Sequence, residues 1–118
     1  MRRRVPAEVG LRYARAVDRN HAETVRVFRA MGCEVVDTSR LGMGIPDLYV
    51  SRGIRYAWVE VKDGAKPPSA RRLTAAEEAW RDRFERGGIH WHLVECPEDA
   101  AALVNSWARY VPEVSYGR

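Results

Sequence analysis

The chain has 118 residues, 46% of them apolar, and this length allows one domain with one hydrophobic core. No apolar run approaches the ~20 residues that a membrane-spanning helix needs, and the basic start lacks the apolar stretch of a signal peptide. The formal net charge is +4, and the whole excess lies in the first 19 residues, because the later basic and acidic side chains cancel.

The first residues predict a basic arm over 1–17, with a helical stretch from Glu8 to Val17. Its side chains Arg2, Arg3 and Arg4 suit the phosphates of a nucleic acid. A solvated leader that binds nothing is the alternative. The two cysteines of the chain favour thiols over a disulfide framework, and we therefore expect a cytoplasmic protein without a membrane partner.

The pattern then predicts the element order α-β-β-β-α-β-α. Asp18 and Asn20 have the side chains of helix N-caps, and Gly32 suits the end of that first helix. The next elements are strands over 34–38, 47–51 and 55–62, a helix over 74–86, a strand over 89–95 and a helix from Pro97. The second and third strands should form a hairpin around the turn at 52–53.

The third strand carries charge on one face. Side chains two apart in a strand point the same way, so Trp58, Glu60 and Lys62 share one face, and Val59 and Val61 share the other. Two charged groups in an otherwise apolar strand are costly to bury unless they are paired or bind a metal. The hairpin can bring Asp47 near Glu60, but the sequence does not fix its register.

These residues predict a metal-assisted reaction. The carboxylates of Asp47 and Glu60 are the oxygen ligands that Mg²⁺ and Mn²⁺ prefer, and the carbonyl of Val61 can add a third. Lys62 can position a water molecule or stabilise developing charge. The alternative is an ordinary Glu60–Lys62 ion pair at a sheet edge, next to a Pro-Asp turn.

Other polar side chains predict contacts with phosphates or with a metal. The candidates for phosphate contacts are Ser39, Arg40, Lys66, Arg71 and Arg72, and ordinary loop solvation explains any one of them equally well. His90 and His92 share a strand face and suggest zinc with Cys96, but the pattern lacks matching partners.

Together these motifs resemble one family. The match is carried by Asn20…Glu23, Ser39-Arg40, Gly42-Met43-Gly44-Ile45-Pro46-Asp47, Glu60-Val61-Lys62-Asp63-Gly64-Ala65-Lys66-Pro67-Pro68-Ser69 and Leu73-Thr74. In these motifs the chain is similar to the VRR-NUC branch of the PD-(D/E)xK nucleases, above all to small stand-alone proteins of phages and prophages.

The resemblance implies an α/β fold, α-β-β-β-α-β with a small central mixed sheet flanked by helices. It places the nuclease domain at 18–108 and a tail at 109–118. It also implies a Mg²⁺- or Mn²⁺-dependent DNA endonuclease that leaves 3′-hydroxyl and 5′-phosphate ends. Branched, Holliday-junction-like DNA, a homodimer, and the cytoplasm of a bacterial host or phage-infected cell belong to the same expectation.

Carried over residue by residue, the resemblance makes Glu23 an additional catalytic acid, Asp47 and Glu60 metal ligands, and Lys62 the catalytic lysine. Glu77 stands where the family usually has Gln, and it is a possible further residue of the metal site. Thr74 and Glu77 also form a capping-box pattern, so a purely structural role explains Glu77 well.

Two other functions remain open. The chain could keep the fold as a DNA-binding module that does not cleave, although Asp47, Glu60 and Lys62 are intact. It could also be an accessory protein of phage replication or recombination.

Overall fold

The computed structural model describes the backbone of residues 7–109 and the side chains of residues 19–107. The helices are α1 (Ala7–Ala30), α2 (Ala75–Arg86) and α3 (Pro97–Arg109), and the strands are β1 (Glu34–Asp37), β2 (Leu48–Arg52), β3 (Arg55–Val61) and β4 (Trp91–Val94). Short 3₁₀ turns occupy Ser39–Leu41 and Pro68–Arg71. The predicted order of helices and strands is confirmed.

The predicted N-cap at Asp18 and Asn20 is wrong. The predicted helical stretch from Glu8 to Val17 is present, but it belongs to one continuous helix, α1, that begins at Ala7, so Asp18 and Asn20 lie inside it. A residue of N-cap type is tolerated within a helix when its side chain finds another partner, and the Asn20 side chain does so. The predicted phosphate contacts of Arg2, Arg3 and Arg4 lie outside the described residues, and the division into arm, domain and tail stays a prediction.

The sheet has the strand order β1-β2-β3-β4. Strands β1, β2 and β3 form an antiparallel meander, whereas β4 pairs parallel with β3 and is connected to it through α2. The mixed sheet is therefore confirmed. In the β2–β3 register Leu48 pairs with Val59, which places the preceding residue Asp47 opposite Glu60.

Helices cover both faces of the sheet. Helices α1 and α3 lie against the face that contributes Leu48, Val50, Ala57, Val59 and Val94 to the core, together with Phe28, Ala100 and Val104 from the helices. On the opposite face, the ring of Trp58 packs 5.6 Å from that of Phe84 in α2. The buried Val59 and the α2-facing Trp58 confirm the predicted alternation along β3.

Two expectations from composition can be compared with the described residues. Cys33 is buried and Cys96 is half-buried, and both are free thiols. Within the described part of the chain, no helix is long and apolar enough to cross a membrane.

Candidate active site

A cavity of about 660 Å³ lies where α1, β3, the loop after β1 and the first turn of α2 meet. Asp47, Glu60, Val61 and Lys62, four residues singled out from the sequence, line it together. The β2–β3 register and the parallel approach of β4 create this convergence, because they fix the end of β3 beside the start of β2.

Glu60 is the buried acid of the cavity. Its residue is only 3% exposed, and its Oε1 atom has no hydrogen-bond partner among the described residues. Burial, together with the neighbouring carboxylates of Asp47 and Glu77, raises the pKa of Glu60 well above its usual range. A buried carboxylate oxygen without a partner fits a site that is completed by a cation.

Asp47 is fixed by backbone hydrogen bonds on both sides. Its Oδ2 atom accepts from the Val61 amide at 2.9 Å, and its carbonyl accepts from the Thr38 amide at 2.8 Å. The Thr38 hydroxyl also donates to the carbonyl of Pro46, which is fully buried. Burial raises the pKa of Asp47, while the Val61 amide opposes that shift. The Pro-Asp pair therefore ends the loop after β1 and aims the carboxylate at β3.

The Val61 carbonyl faces the same side of β3 as Asp47. The amide of Val61 points to Asp47 Oδ2, and the N–H and C=O of one strand residue point to the same side of the strand. The next position of β2 in this register is occupied by Pro46, which has no amide hydrogen to offer that carbonyl. The Val61 carbonyl is thus compatible with the predicted role as a metal ligand.

Lys62 joins Glu60 to Glu77. Its Nζ atom lies 2.9 Å from Glu77 Oε1 and 3.8 Å from Glu60 Oε2. The strand end that carries Lys62 is held from two sides, since its amide donates to the Val94 carbonyl and its carbonyl accepts from the Asn20 side chain. The ammonium group is therefore presented to the cavity from a fixed backbone.

Glu77 has two roles. The predicted capping box is present, with Thr74 and Glu77 each accepting from the backbone amide of the other. The same carboxylate also accepts from Lys62 and lines the cavity, so its contacts go beyond the cap, and whether Glu77 acts in the site stays a prediction. Burial alone would raise the pKa of Glu77, but the hydrogen bonds from Thr74 and Lys62 lower it.

Negative charge exceeds positive charge at the base of this cavity. Asp47, Glu60 and Glu77 interact electrostatically with one another, and Lys62 lies between Glu60 and Glu77. Among the described residues, no group of three or more His, Cys, Asp and Glu side chains is arranged to hold a metal ion by itself. A metal here would depend on two carboxylates and a carbonyl, with water and phosphate oxygens completing its coordination, as Mg²⁺ commonly does.

Helix α1 contributes two residues that the sequence did not reveal as parts of the site. Asn20 and His21 line the cavity, and the imidazole Nε2 of His21 lies 2.9 Å from Asp37 Oδ2 at its rim. Glu23, the predicted catalytic acid of this helix, does not line the cavity, and its role stays a prediction. The position of Asn20 within the matched motif was a usable signal, whereas nothing in the sequence links His21 to Asp37.

Gly44 allows the loop after β1 to lie on the first turn of α2. Its φ is +80°, and a Cβ atom there would stand 2.5 Å from the Ala76 carbonyl carbon and 2.6 Å from its oxygen. The loop is further fixed by Trp80, whose Nε1 donates to the Met43 carbonyl at 3.0 Å. This close approach brings Glu77, the neighbour of Ala76, beside the acids of the sheet.

A solved structure described as a VRR_NUC domain is similar to this chain over most of both lengths. The match covers 76% of this chain and 95% of that one, with 26% sequence identity and a TM-score of 0.58. Neither a protein-family model nor a curated protein matches the chain. In this chain, Asp47 of the Gly-Ile-Pro-Asp motif and the Glu-Val-Lys motif line one cavity.

This match supports membership of the VRR-NUC family. Membership indicates a nuclease-type function that acts on DNA.

The residues predicted to contact phosphates differ in whether they line the cavity. Ser39, Arg40 and Lys66 line the cavity, although the Ser39 hydroxyl is used to bond Asp37 at 2.6 Å. Arg71 pairs with Glu95 at 2.7 Å and donates to the Lys66 carbonyl, which gives it a structural role in the loop. Arg72 is exposed and does not line the cavity.

Proposed function

We propose that this VRR-NUC chain is a Mg²⁺- or Mn²⁺-dependent DNA endonuclease that hydrolyses phosphodiester bonds in branched DNA. One observation carries the proposal. The partnerless Oε1 of Glu60 lies in a cavity where Asp47 and Glu77 add negative charge and Lys62 adds an ammonium group. Such an arrangement is costly for a purely structural cluster and useful for binding a cation next to a phosphate.

The residues divide the chemistry between them. Asp47, Glu60 and the Val61 carbonyl would hold the metal, which when bound lowers the pKa of a water molecule and polarises a phosphate oxygen. Lys62, which donates to Glu77, would orient the attacking water or stabilise charge on the phosphate. Hydrolysis then leaves 3′-hydroxyl and 5′-phosphate ends.

DNA would approach along the basic rim. Arg40 and Lys66 lie at the cavity, and the arm with Arg2, Arg3 and Arg4 adds further positive charge. Contacts of this kind hold the phosphate backbone without reading sequence. Selectivity for DNA shape follows as the expected property of a small domain with these contacts.

A cleavage screen tests the proposal. The wild-type protein is incubated with labelled single-stranded, duplex, flap and four-way DNA, with Mg²⁺, Mn²⁺ or a chelator. We expect divalent-dependent cleavage, strongest for branched DNA and absent with chelator. Binding of DNA without cleavage under every condition would favour the non-catalytic module instead.

Glu77→Gln should change the metal requirement while leaving the fold intact. The Gln carbonyl can still accept from Thr74 and Lys62, so we expect the free energy of unfolding to change by less than about 1 kcal/mol. Removing one of three interacting negative charges should raise the metal concentration for half-maximal cleavage several-fold. A titration of cleavage rate against Mg²⁺ measures this.

Glu78→Gln is the matched control. Glu78 is the exposed neighbour of Glu77 in the first turn of α2, so its replacement by Gln removes the same charge without changing the lining of the cavity. If the two variants require the same metal concentration, Glu77 acts only as a cap.

A homodimer is also proposed, because a symmetric junction needs two active sites related by a two-fold axis. Strands β1 and β4 are the edges of the four-stranded sheet and offer unpaired backbone to a second copy. Light scattering at the concentration of the cleavage assay should give twice the mass of one chain. A single-chain mass together with full junction cleavage would contradict this part of the proposal.

A further inference from the structure

Two large apolar side chains are exposed next to the active site. Leu41 is 59% exposed and Met43 is 79% exposed, and both belong to the loop between β1 and β2. Exposure of a single apolar residue is ordinary, but two in one short loop beside a polar cavity require an explanation.

The loop presents these side chains in a fixed conformation. Its ends are closed by Thr38, which donates to Pro46 and Asp47, and its middle by the bond from Trp80 to the Met43 carbonyl. Met43 has a φ of +56°, a left-handed conformation that a side chain rarely adopts. Strain of this kind persists where the surroundings hold it, and it concentrates at functional sites.

The loop also borders the place where the phosphate would lie. Arg40 directly precedes Leu41 and lines the cavity, while Gly44 directly follows Met43 and rests against the first turn of α2. Arg40 forms no ion pair with any residue of the described part of the chain. Along the loop, the cation Arg40 at the cavity is thus followed by the exposed apolar side chains of Leu41 and Met43, which form the apolar tip of the loop.

We propose that Leu41 and Met43 form a wedge that packs against an exposed base face where the base stack of DNA is interrupted, next to the phosphate that is cut. This inference rests on the proposed nuclease function and names its substrate class as DNA with a nick, a flap or a branch. The arrangement of charge favours DNA as the occupant, because the cation can contact a phosphate while the apolar tip contacts the adjoining base. Apolar wedges of this kind separate base steps at a cost that is smallest where stacking is already broken.

The test measures base unstacking and affinity in a background that does not cleave. A duplex with a single nick carries 2-aminopurine beside the nick, and an intact duplex of the same sequence is the comparison. Both are titrated with Glu60→Gln and with the same protein that also carries Leu41→Ser and Met43→Ser. Ile54→Ser is the matched control, because Ile54 is 84% exposed at the β2–β3 turn and does not line the active-site cavity.

The wedge predicts a rise in 2-aminopurine fluorescence with the Glu60→Gln protein and its loss in the double serine variant. Affinity for nicked DNA should fall on the order of tenfold, while affinity for intact duplex stays unchanged. Ile54→Ser, added to the Glu60→Gln protein, should change neither the 2-aminopurine fluorescence nor the affinity for either DNA. The serine variants should keep the thermal stability of their Glu60→Gln parent, since Leu41, Met43 and Ile54 are exposed.

Three results would overturn the wedge, and the first two are distinguishable from the third. If nicked DNA is bound as tightly by the serine variant as by its parent, or both DNAs lose affinity equally, the wedge is wrong and the nuclease proposal stands. If the wild-type protein neither binds nor cuts any DNA, the proposed function fails and the wedge fails with it.

Discussion

Glu60→Gln is expected to abolish cleavage and, at the same time, to make the metal-free protein more stable. The side chain is buried, one of its oxygens has no partner, and burial with the nearby carboxylates of Asp47 and Glu77 raises the pKa of Glu60 to about 9. The metal-free protein therefore holds this carboxyl protonated at neutral pH, which lowers the free energy of unfolding. A neutral amide of the same shape avoids that cost, and we expect a gain of about 1–2 kcal/mol in the free energy of unfolding.

The loss of cleavage has a separate cause. An amide is a poor ligand for Mg²⁺ compared with a carboxylate, and it removes one of the two negative charges that would hold the ion. We therefore expect cleavage to fall below detection while DNA affinity changes little, because affinity depends mainly on contacts between basic side chains and phosphates.

Thermal unfolding with chelator and with excess Mg²⁺ separates these effects. Metal should raise the melting temperature of the wild-type protein and leave that of Glu60→Gln nearly unchanged, since a ligand stabilises only the folded state that binds it. Glu78→Gln, an exposed acid of α2, serves as the control and should behave as wild type. A destabilised Glu60→Gln protein with normal cleavage would show that Glu60 is only a structural ion-pair partner.

Gly44→Ala is expected to destabilise the protein by about 3 kcal/mol and to abolish cleavage in whatever fraction remains folded. A side chain at φ +80° costs about 1–2 kcal/mol, and a Cβ atom 2.5 Å from the Ala76 backbone adds an overpacking cost of similar size. Since backbone rather than a flexible side chain blocks the space, the loop must move away from α2. That movement separates Asp47 from Glu77.

Gly88→Ala is the control for Gly44→Ala. Gly88 also has a positive φ, +74°, but it lies in the cap at the end of α2, away from the cavity, and a Cβ atom there meets nothing within 4 Å. We expect it to cost only the conformational part, about 1–2 kcal/mol, and to retain cleavage. Urea denaturation of both variants measures the difference, and equal losses of stability would show that the approach to Ala76 does not matter.

Local patterns in the sequence were sufficient for the order of helices and strands and for the faces of β3. The alternation along β3 separated Val59, which is buried, from Trp58 and Glu60, which face α2, because strand geometry alone decides which side chains share a side. The capping box of Thr74 and Glu77 was likewise evident, since it spans three residues of one helix turn.

Long-range contacts were decided only by the tertiary structure. Asn20 looked like a helix N-cap, yet it lies within α1 and bonds a carbonyl 42 residues away, and Glu77 looked like a cap alone, yet it also holds Lys62. Neither contact has a local signal, because both depend on how helices pack on the two faces of the sheet.

The sequence by itself therefore determined which acids and which lysine belong to one strand face, and it indicated the family. The tertiary structure decided that Asp47 stands opposite Glu60, that Glu77 joins them, and that His21 rather than Glu23 lines the cavity. The physical reason is that residue types and periodicity act over a few residues, whereas a site is assembled by strand register and helix packing between segments far apart in the chain.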